Sequence, residues 1–303
     1  MTMPPPPELV QQRGAEQIFV TDWGEEEEGF SFEARLPLQH PRYCDTSTPF
    51  HDLLVVAETV SQVGMLSTIN LLGVPADSEF FMRRLSASLD PLQNNVRAAD
   101  SVRLHLSTSD GAAGVKFRPD GRSSGAFLST RNDLEGKPSG TSHVQAFWMP
   151  AERYREFRAR IRRRRKPREA EYASLEAETL VGRQNPANSV VSTLEPAGER
   201  RYGACVLVDT DDPTFFDPPL DHVSGFLLCE AAKQAATAAA CREFGVSPGD
   251  IVVSAADFSF VAFTELDDLT RCRVELLDDD AAAVEFTQSG RVVCRADLTV
   301  DRV

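Results

Sequence analysis

The chain has 303 residues, enough for two domains of ordinary size, each with its own core. Its composition, 42% hydrophobic and 26% charged, is that of a globular protein, and a formal net charge of −14 argues against a general nucleic-acid binder. Six scattered cysteines and five histidines offer no C-x-x-C pair and no histidine cluster, so no disulfide framework or metal site is expected and a reducing cytoplasm fits best.

Residues 1–14, proline-rich at positions 4–7, read as an extended tail without the basic and apolar regions of a signal peptide. Ile18-Phe19-Val20 and the Phe30–Ala34 stretch predict two strands joined by an acidic tip at 25–28. Residues 52–72 are apolar nearly all the way round and stop at Gly73, which predicts a buried helix; no apolar run is read as a membrane span. Strand-like segments follow near 80–81, 85–89, 102–107, 114–117, 126–129 and 143–148. One buried helix followed by many strands predicts an α+β unit, an antiparallel sheet curled around the helix.

Residues 151–168 hold ten Lys or Arg, with Tyr154, Phe157 and Ile161 on one helical stripe. That is a basic amphipathic helix, either a solvated connector or a docking surface for an acidic partner. Residues 169–187 read as a linker. The pattern then restarts, with strands near 189–193 and 202–208, a second apolar helix over about 224–244 stopped by Gly245, and five more strands to residue 300. The expected organisation is a tail (1–14), a first domain (15–150), the basic helix and linker (151–187) and a second domain (188–303).

The two helices overlay with a constant shift of 172 positions. It carries Glu58 onto Glu230, Gln62 onto Gln234 and Gly73-Val74 onto Gly245-Val246. A glutamate, a glutamine and a helix stop in common register indicate duplication. A glutamate on an otherwise apolar helix calls for an explanation, because glutamate is almost never buried without a partner. Helical spacing clusters Glu58 with Ser61 and Gln62, and Glu230 with Lys233 and Gln234. The plain reading is local satisfaction, with Glu230 and Lys233 as an intrahelical ion pair. The functional reading gives Glu230 the role of general base. Gly225 and the unpaired amides at the helix start would stabilise an oxyanion, and Lys233 would contact an anion. Asp221 and His222 precede that helix start, as His51 precedes the first one. No nucleophile elbow, P-loop, Rossmann fingerprint or metal motif is present, and no cofactor is expected.

The stretch Asp221-His222-Val223-Ser224-Gly225-Phe226-Leu227-Leu228-Cys229-Glu230-Ala231-Ala232-Lys233-Gln234 resembles the second-domain signature of the AfsA-type A-factor biosynthesis hotdog family. His51-Asp52-Leu53-Leu54-Val55-Val56-Ala57-Glu58-Thr59-Val60-Ser61-Gln62 resembles its first-domain counterpart. Phe19-Val20-Thr21-Asp22-Trp23 and Val181-Gly182-Arg183 also look like that family. The resemblance implies a tandem double hotdog, two sheets each wrapped around a helix and joined as an intramolecular pseudo-dimer, with further homodimerisation left open. It also implies an acyltransferase that moves a β-ketoacyl group from an acyl-carrier-protein or acyl-CoA thioester to the hydroxyl of dihydroxyacetone phosphate or a similar small phosphorylated alcohol. The acidic carrier would meet the basic helix, and no membrane or nucleic acid is involved.

Three departures from the family pattern stand out. Lys233 replaces the usual arginine, no histidine lies near Pro218, and Phe216 stands where the related dehydratases place their catalytic histidine. A thioesterase or dehydratase-like enzyme and a non-catalytic acyl-binding protein are the alternatives. Within the duplication the sequence favours the site at Glu230, with Glu58, Ser61, Gln62 and His51 belonging to a second site or lining the acyl pocket.

Overall fold

The computed structural model describes residue 10 and residues 14–26, 29–90, 102–108, 116–117, 123–163 and 175–303. Most of the predicted tail, the end of the acidic tip, the start of the strand predicted at 114–117 and the last basic residues of the 151–168 stretch lie outside them. Thirteen strands form one antiparallel sheet: β1 (Val20–Glu26), β2 (Gly29–Leu36), β3 (Ser78–Ser88), β4 (Val102–Thr108), β5 (Lys116–Phe117), β6 (Ser123–Leu134), β7 (Lys137–Pro150), β8 (Glu195–Gly198), β9 (Arg201–Cys205), β10 (Ile251–Phe260), β11 (Arg271–Leu276), β12 (Ala281–Gln288) and β13 (Arg291–Arg302). Among the described residues, four α-helices accompany them: α1 (Leu53–Leu72), α2 (Ala151–Arg163), α3 (Pro213–Phe216) and α4 (Gly225–Phe244).

The sheet order is β1-β2-β4-β6-β7-β3-β10-β13-β12-β11-β9-β8, with β5 beside β6. Strands up to β7 come from the first half of the chain and the rest from the second. The halves meet where β3 pairs β10, each being the strand that follows its own central helix. Leu85 faces Phe258 and Ser86 faces Asp257. The shift of 172 maps Leu85 onto Asp257 and Ser86 onto Phe258, so the junction is self-complementary, as a two-fold contact between equivalent strands must be. The duplication read from the helices therefore continues through the seam between the halves. This is the double hotdog fold.

Both central helices begin and end alike. Asp52 and Ser224 are the N-caps, accepting from the amides of Leu54 (3.0 Å) and Phe226 (3.3 Å). Gly73 (φ 62°) and Gly245 (φ 66°) end the helices in the left-handed region, where only glycine sits without strain. The curled sheet buries α1 and α4 on most sides, which explains apolar residues all round each helix. By length and composition Leu53–Asn70 is apolar enough to cross a membrane, contrary to the sequence reading; its place as the core of the first half accounts for that character. In α4 the run of buried alanines from Ala231 to Ala240 lets the sheet approach closely. The expected basic helix is α2. It lies across the seam, its Tyr154 and Phe157 against Phe263, which follows β10.

Candidate active site

A cleft of about 1820 Å³ opens at the seam between the halves. One wall is α1, through Glu58, Ser61, Gly64 and Met65, spaced to share one helical face. The facing wall is the segment entering α4, including Asp221, His222, Ser224, Gly225 and Phe226. Met82 and Phe260 from the paired strands β3 and β10 form part of the floor, and Tyr154, Arg155, Phe157 and Ile161 of α2 close one side. A Cβ on Gly225 would stand 3.2 Å from Phe260 and 3.5 Å from Met82, so glycine keeps that helix start open to the cleft.

Thus the cleft joins the start of α4 to the carboxylate of α1, not to the carboxylate of α4 itself. Gly225 and Glu230 are five residues apart on one helix. At about 100° per residue they face directions about 140° apart. The sequence reading that put the base Glu230 beside the oxyanion donors of its own helix start is corrected on this point: among the residues lining the cleft is Glu58, and Glu230 is absent.

Glu230 is instead fully buried in an ionic cluster. Arg183 grips it with both arms, Nε at 2.7 Å from Oε1 and Nη2 at 2.6 Å from Oε2, and the same Nη2 lies 2.7 Å from Asp52, the N-cap of α1. Lys233 completes the ring at 2.5 Å from Asp52 and 3.2 Å from Glu230. Arg183 also donates to the carbonyls of Arg42 (2.7 Å) and Asp45 (3.2 Å). Burial alone would raise the carboxyl of Glu230, but Arg183 and then Lys233 outweigh it and hold it far below the usual range. Asp52 is likewise depressed, with Lys233 and Arg183 overcoming its burial. The guanidinium of Arg183 therefore fills the space between the start of α1 and the carboxylate of α4, the two-fold equivalent of the cleft. Lys233 is committed to this cluster and does not line the cleft, so it is not available as the expected anion contact there.

The glutamines have a structural task. Gln62 accepts from the amide of Phe19 (3.0 Å) and donates to the carbonyl of Gln17 (2.7 Å). Gln234 accepts from the amide of Val190 (2.8 Å) and donates to the carbonyl of Asn188 (2.8 Å). Each latches the extended segment entering its half and also donates to its own helix's glutamate, at 3.4 Å to Glu58 and 2.5 Å to Glu230. Neither is among the residues lining the cleft. His51 is buried away from the cleft as well, whereas Ser61 lines it. Tyr43, fully buried near both glutamates, has its phenol pushed well up by burial and by Glu58.

A second ionic group stands at the α2 side. Arg158, buried although it belongs to the basic helix, reaches Glu265 at 2.8 and 2.9 Å and Asp221 at 3.0 Å, and stacks on Phe263. Tyr154 donates to Asp221 (3.0 Å), and His222 is 2.8 Å from the same carboxylate. Asp221 and His222 thus line the cleft, with partners that sequence reasoning missed. Arg158 could not be told from the arginines around it, and Arg183 was legible only as part of a family-like triplet. The one signal for Arg183 was the demand of a buried glutamate for a cation.

The family model for the A-factor biosynthesis hotdog domain matches residues 2–114 and 166–303. A 2-oxo-3-(phosphooxy)propyl 3-oxoalkanoate synthase of Streptomyces griseus is 30% identical over 232 residues, 76% of this chain and 73% of that protein. The enzyme of the same name from Streptomyces coelicolor is 29% identical over 273 residues, 88% of this chain and 80% of that one. Among solved structures, the dehydratase domain of RzxB from Pseudomonas fluorescens superposes with a TM-score of 0.51 at 12% identity, covering 94% of this chain and 98% of that one. A Lactobacillus plantarum protein described as an oleoyl thioesterase gives 0.53 at 11% identity, over 90% and 96%. These structural likenesses show the hotdog fold alone. Sequence, register and fold agree: the chain belongs to the A-factor biosynthesis hotdog family.

Proposed function

We propose that this protein is an acyltransferase that moves a 3-oxoacyl group from a carrier thioester to the hydroxyl of dihydroxyacetone phosphate or a similar phosphorylated alcohol, and that it does so in the cleft at the seam. The reaction follows from the product in the relatives' name: a 3-oxoalkanoate ester of a phosphorylated hydroxyketone forms when that hydroxyl attacks a 3-oxoacyl thioester. The observation that carries the reading is the convergence of Gly225, at the start of α4, with Glu58 and Ser61 of α1 in one cleft.

Backbone amides at a helix start suit the oxygen of a thioester carbonyl as it gains charge. Glu58, on the opposite wall, takes the proton of the attacking hydroxyl. Gly64, Met65, Val144 and Leu228 give the acyl chain an apolar bed. The phosphate is met by cations on the cleft wall, Arg83, Arg155 and Arg291, since Lys233 is engaged elsewhere. The carrier docks on the exposed arginines of α2, because acidic carriers are steered by a basic strip.

The test is to supply a 3-oxoacyl carrier protein with dihydroxyacetone phosphate and follow the phosphorylated ester by mass spectrometry. Ester from wild-type protein and a loss of about 100-fold or more in Glu58→Gln are expected; free acid without ester, or a variant within a few-fold of wild type, contradicts the reading. Reversing Arg153, Arg160 and Arg163 to glutamate should raise KM for the carrier substrate about tenfold and leave a small thioester unaffected. An equal effect on both removes α2 as the docking surface.

A further inference from the structure

Thioester cleavage expels a thiolate, and the acyl-transfer reading assigns no group to protonate it. We propose that His222, oriented by Asp221, is the general acid that delivers a proton to the departing sulfur. This rests on the acyl-transfer reading of the cleft and adds a catalytic residue on the wall facing Glu58.

Both residues line the cleft, three and four positions before Gly225. His222 Nδ1 is 2.8 Å from Asp221 Oδ1, and the imidazole stands edge-on to Phe263, ring centres 4.8 Å apart at 87°. With Nδ1 committed to the carboxylate, Nε2 is the nitrogen left to meet a ligand. Asp221 is itself fixed by Arg158 (3.0 Å), Arg162 (3.3 Å) and the hydroxyl of Tyr154 (3.0 Å), and Arg158 is pinned by Glu265. The charged and titratable groups around His222 are therefore Asp221 from its own loop, Tyr154, Arg158 and Arg162 from α2, Glu79 from β3 and Glu265 beyond β10. Burial would raise the Asp221 carboxyl, but its bonds to His222 and Arg158 hold it well below the usual carboxylate range. It stays an anion, suited to orient the ring and to stabilise an imidazolium.

Position separates the two proton carriers. Glu58 is on α1, whereas His222 touches α2, the side on which a carrier's pantetheine arm enters. Sulfur lies between the carbonyl at Gly225 and that entrance. The hydroxyl oxygen forms the new C–O bond and its proton passes to Glu58. When the C–S bond breaks, the sulfur pair takes the proton from His222 Nε2. The products are an ester and a thiol, and solvent returns the proton from Glu58 to the imidazole.

Leaving-group dependence reads this role directly. Thiol release is followed with two thioesters of the same 3-oxo acid, one of N-acetylcysteamine and one of thiophenol, whose anion departs readily without a proton. His222→Gln should lose about 100-fold on the alkyl thioester and no more than about threefold on the aryl one, and Asp221→Asn should show the same pattern. Equal losses on both esters overturn the assignment. A second measurement needs neither turnover nor a variant: a 3-oxoacyl pantetheine with CH₂ in place of sulfur should move the imidazole nitrogen resonances of His222 in wild-type protein. Unmoved resonances at saturation overturn it too. Thiol release with the predicted leaving-group pattern but no phosphorylated ester refutes the proposed acceptor and leaves His222 in place.

Discussion

Glu58 and Glu230 occupy equivalent points of two equivalent helices, yet one lines a cleft and the other is sealed beneath an arginine. The two-fold seam gives each carboxylate the same surroundings in outline: the start of the opposite helix, a glutamine one turn on, and an entering segment latched by that glutamine. The difference comes from what stands between carboxylate and helix start. Glu58 lines the cleft that reaches the start of α4, whereas the guanidinium of Arg183 stands between Glu230 and the start of α1. A duplicated scaffold thus supplies two potential sites, and one inserted cation turns the second into a clamp between the halves, tying Asp52 of the first to Glu230 of the second.

Removing Arg183 should act first on stability. Arg183→Met leaves Glu230 with Lys233 as its remaining ion-pair partner among the described residues, and removing one partner of a buried ionic cluster costs about 3–5 kcal/mol. Chemical denaturation should show that loss. A loss under about 1 kcal/mol would mean the clamp holds little.

A smaller effect is acid sensitivity. The carboxyl of Glu230 is lowered in the folded protein, so the unfolded chain binds its proton first as pH falls. Its contribution is complete at neutral pH. It begins to be lost as pH drops through the ordinary glutamate value of about 4.3 and continues to fall below it. Denaturant midpoints measured from pH 7 to pH 3 should therefore drop less steeply in Glu230→Gln than in wild type. Parallel curves would contradict the clamp's electrostatics.

Much of the frame was legible in the sequence, because it rests on periodicity. Gly73 and Gly245 end helices whose register the shift of 172 fixes, and most strands fall near the predicted segments, although the segment predicted near 189–193 makes only isolated bridges at Val191 and Ser192 and β8 was not foreseen. The pairing of β3 with β10 follows from the same register, but only once the seam is seen. The partner of each helix start was not legible, because periodicity within one helix cannot say that Gly225 faces Glu58 of the other half. Arg183 lies 47 positions from Glu230 and Asp52 lies 181 from Lys233, distances at which sequence carries no contact signal. Arg158 shows the same limit: three residues from Arg155 and two from Arg160, it alone among the described arginines of α2 is buried.

The most direct test of a single working end is the binding stoichiometry of the non-cleavable 3-oxoacyl pantetheine, measured by titration calorimetry on wild type and on Ser61→Trp, which fills the cleft beside Glu58. One molecule should bind per wild-type chain and none should bind to Ser61→Trp. Two molecules per chain, or binding undiminished in Ser61→Trp, would place substrate at the Glu230 end and contradict a single working end.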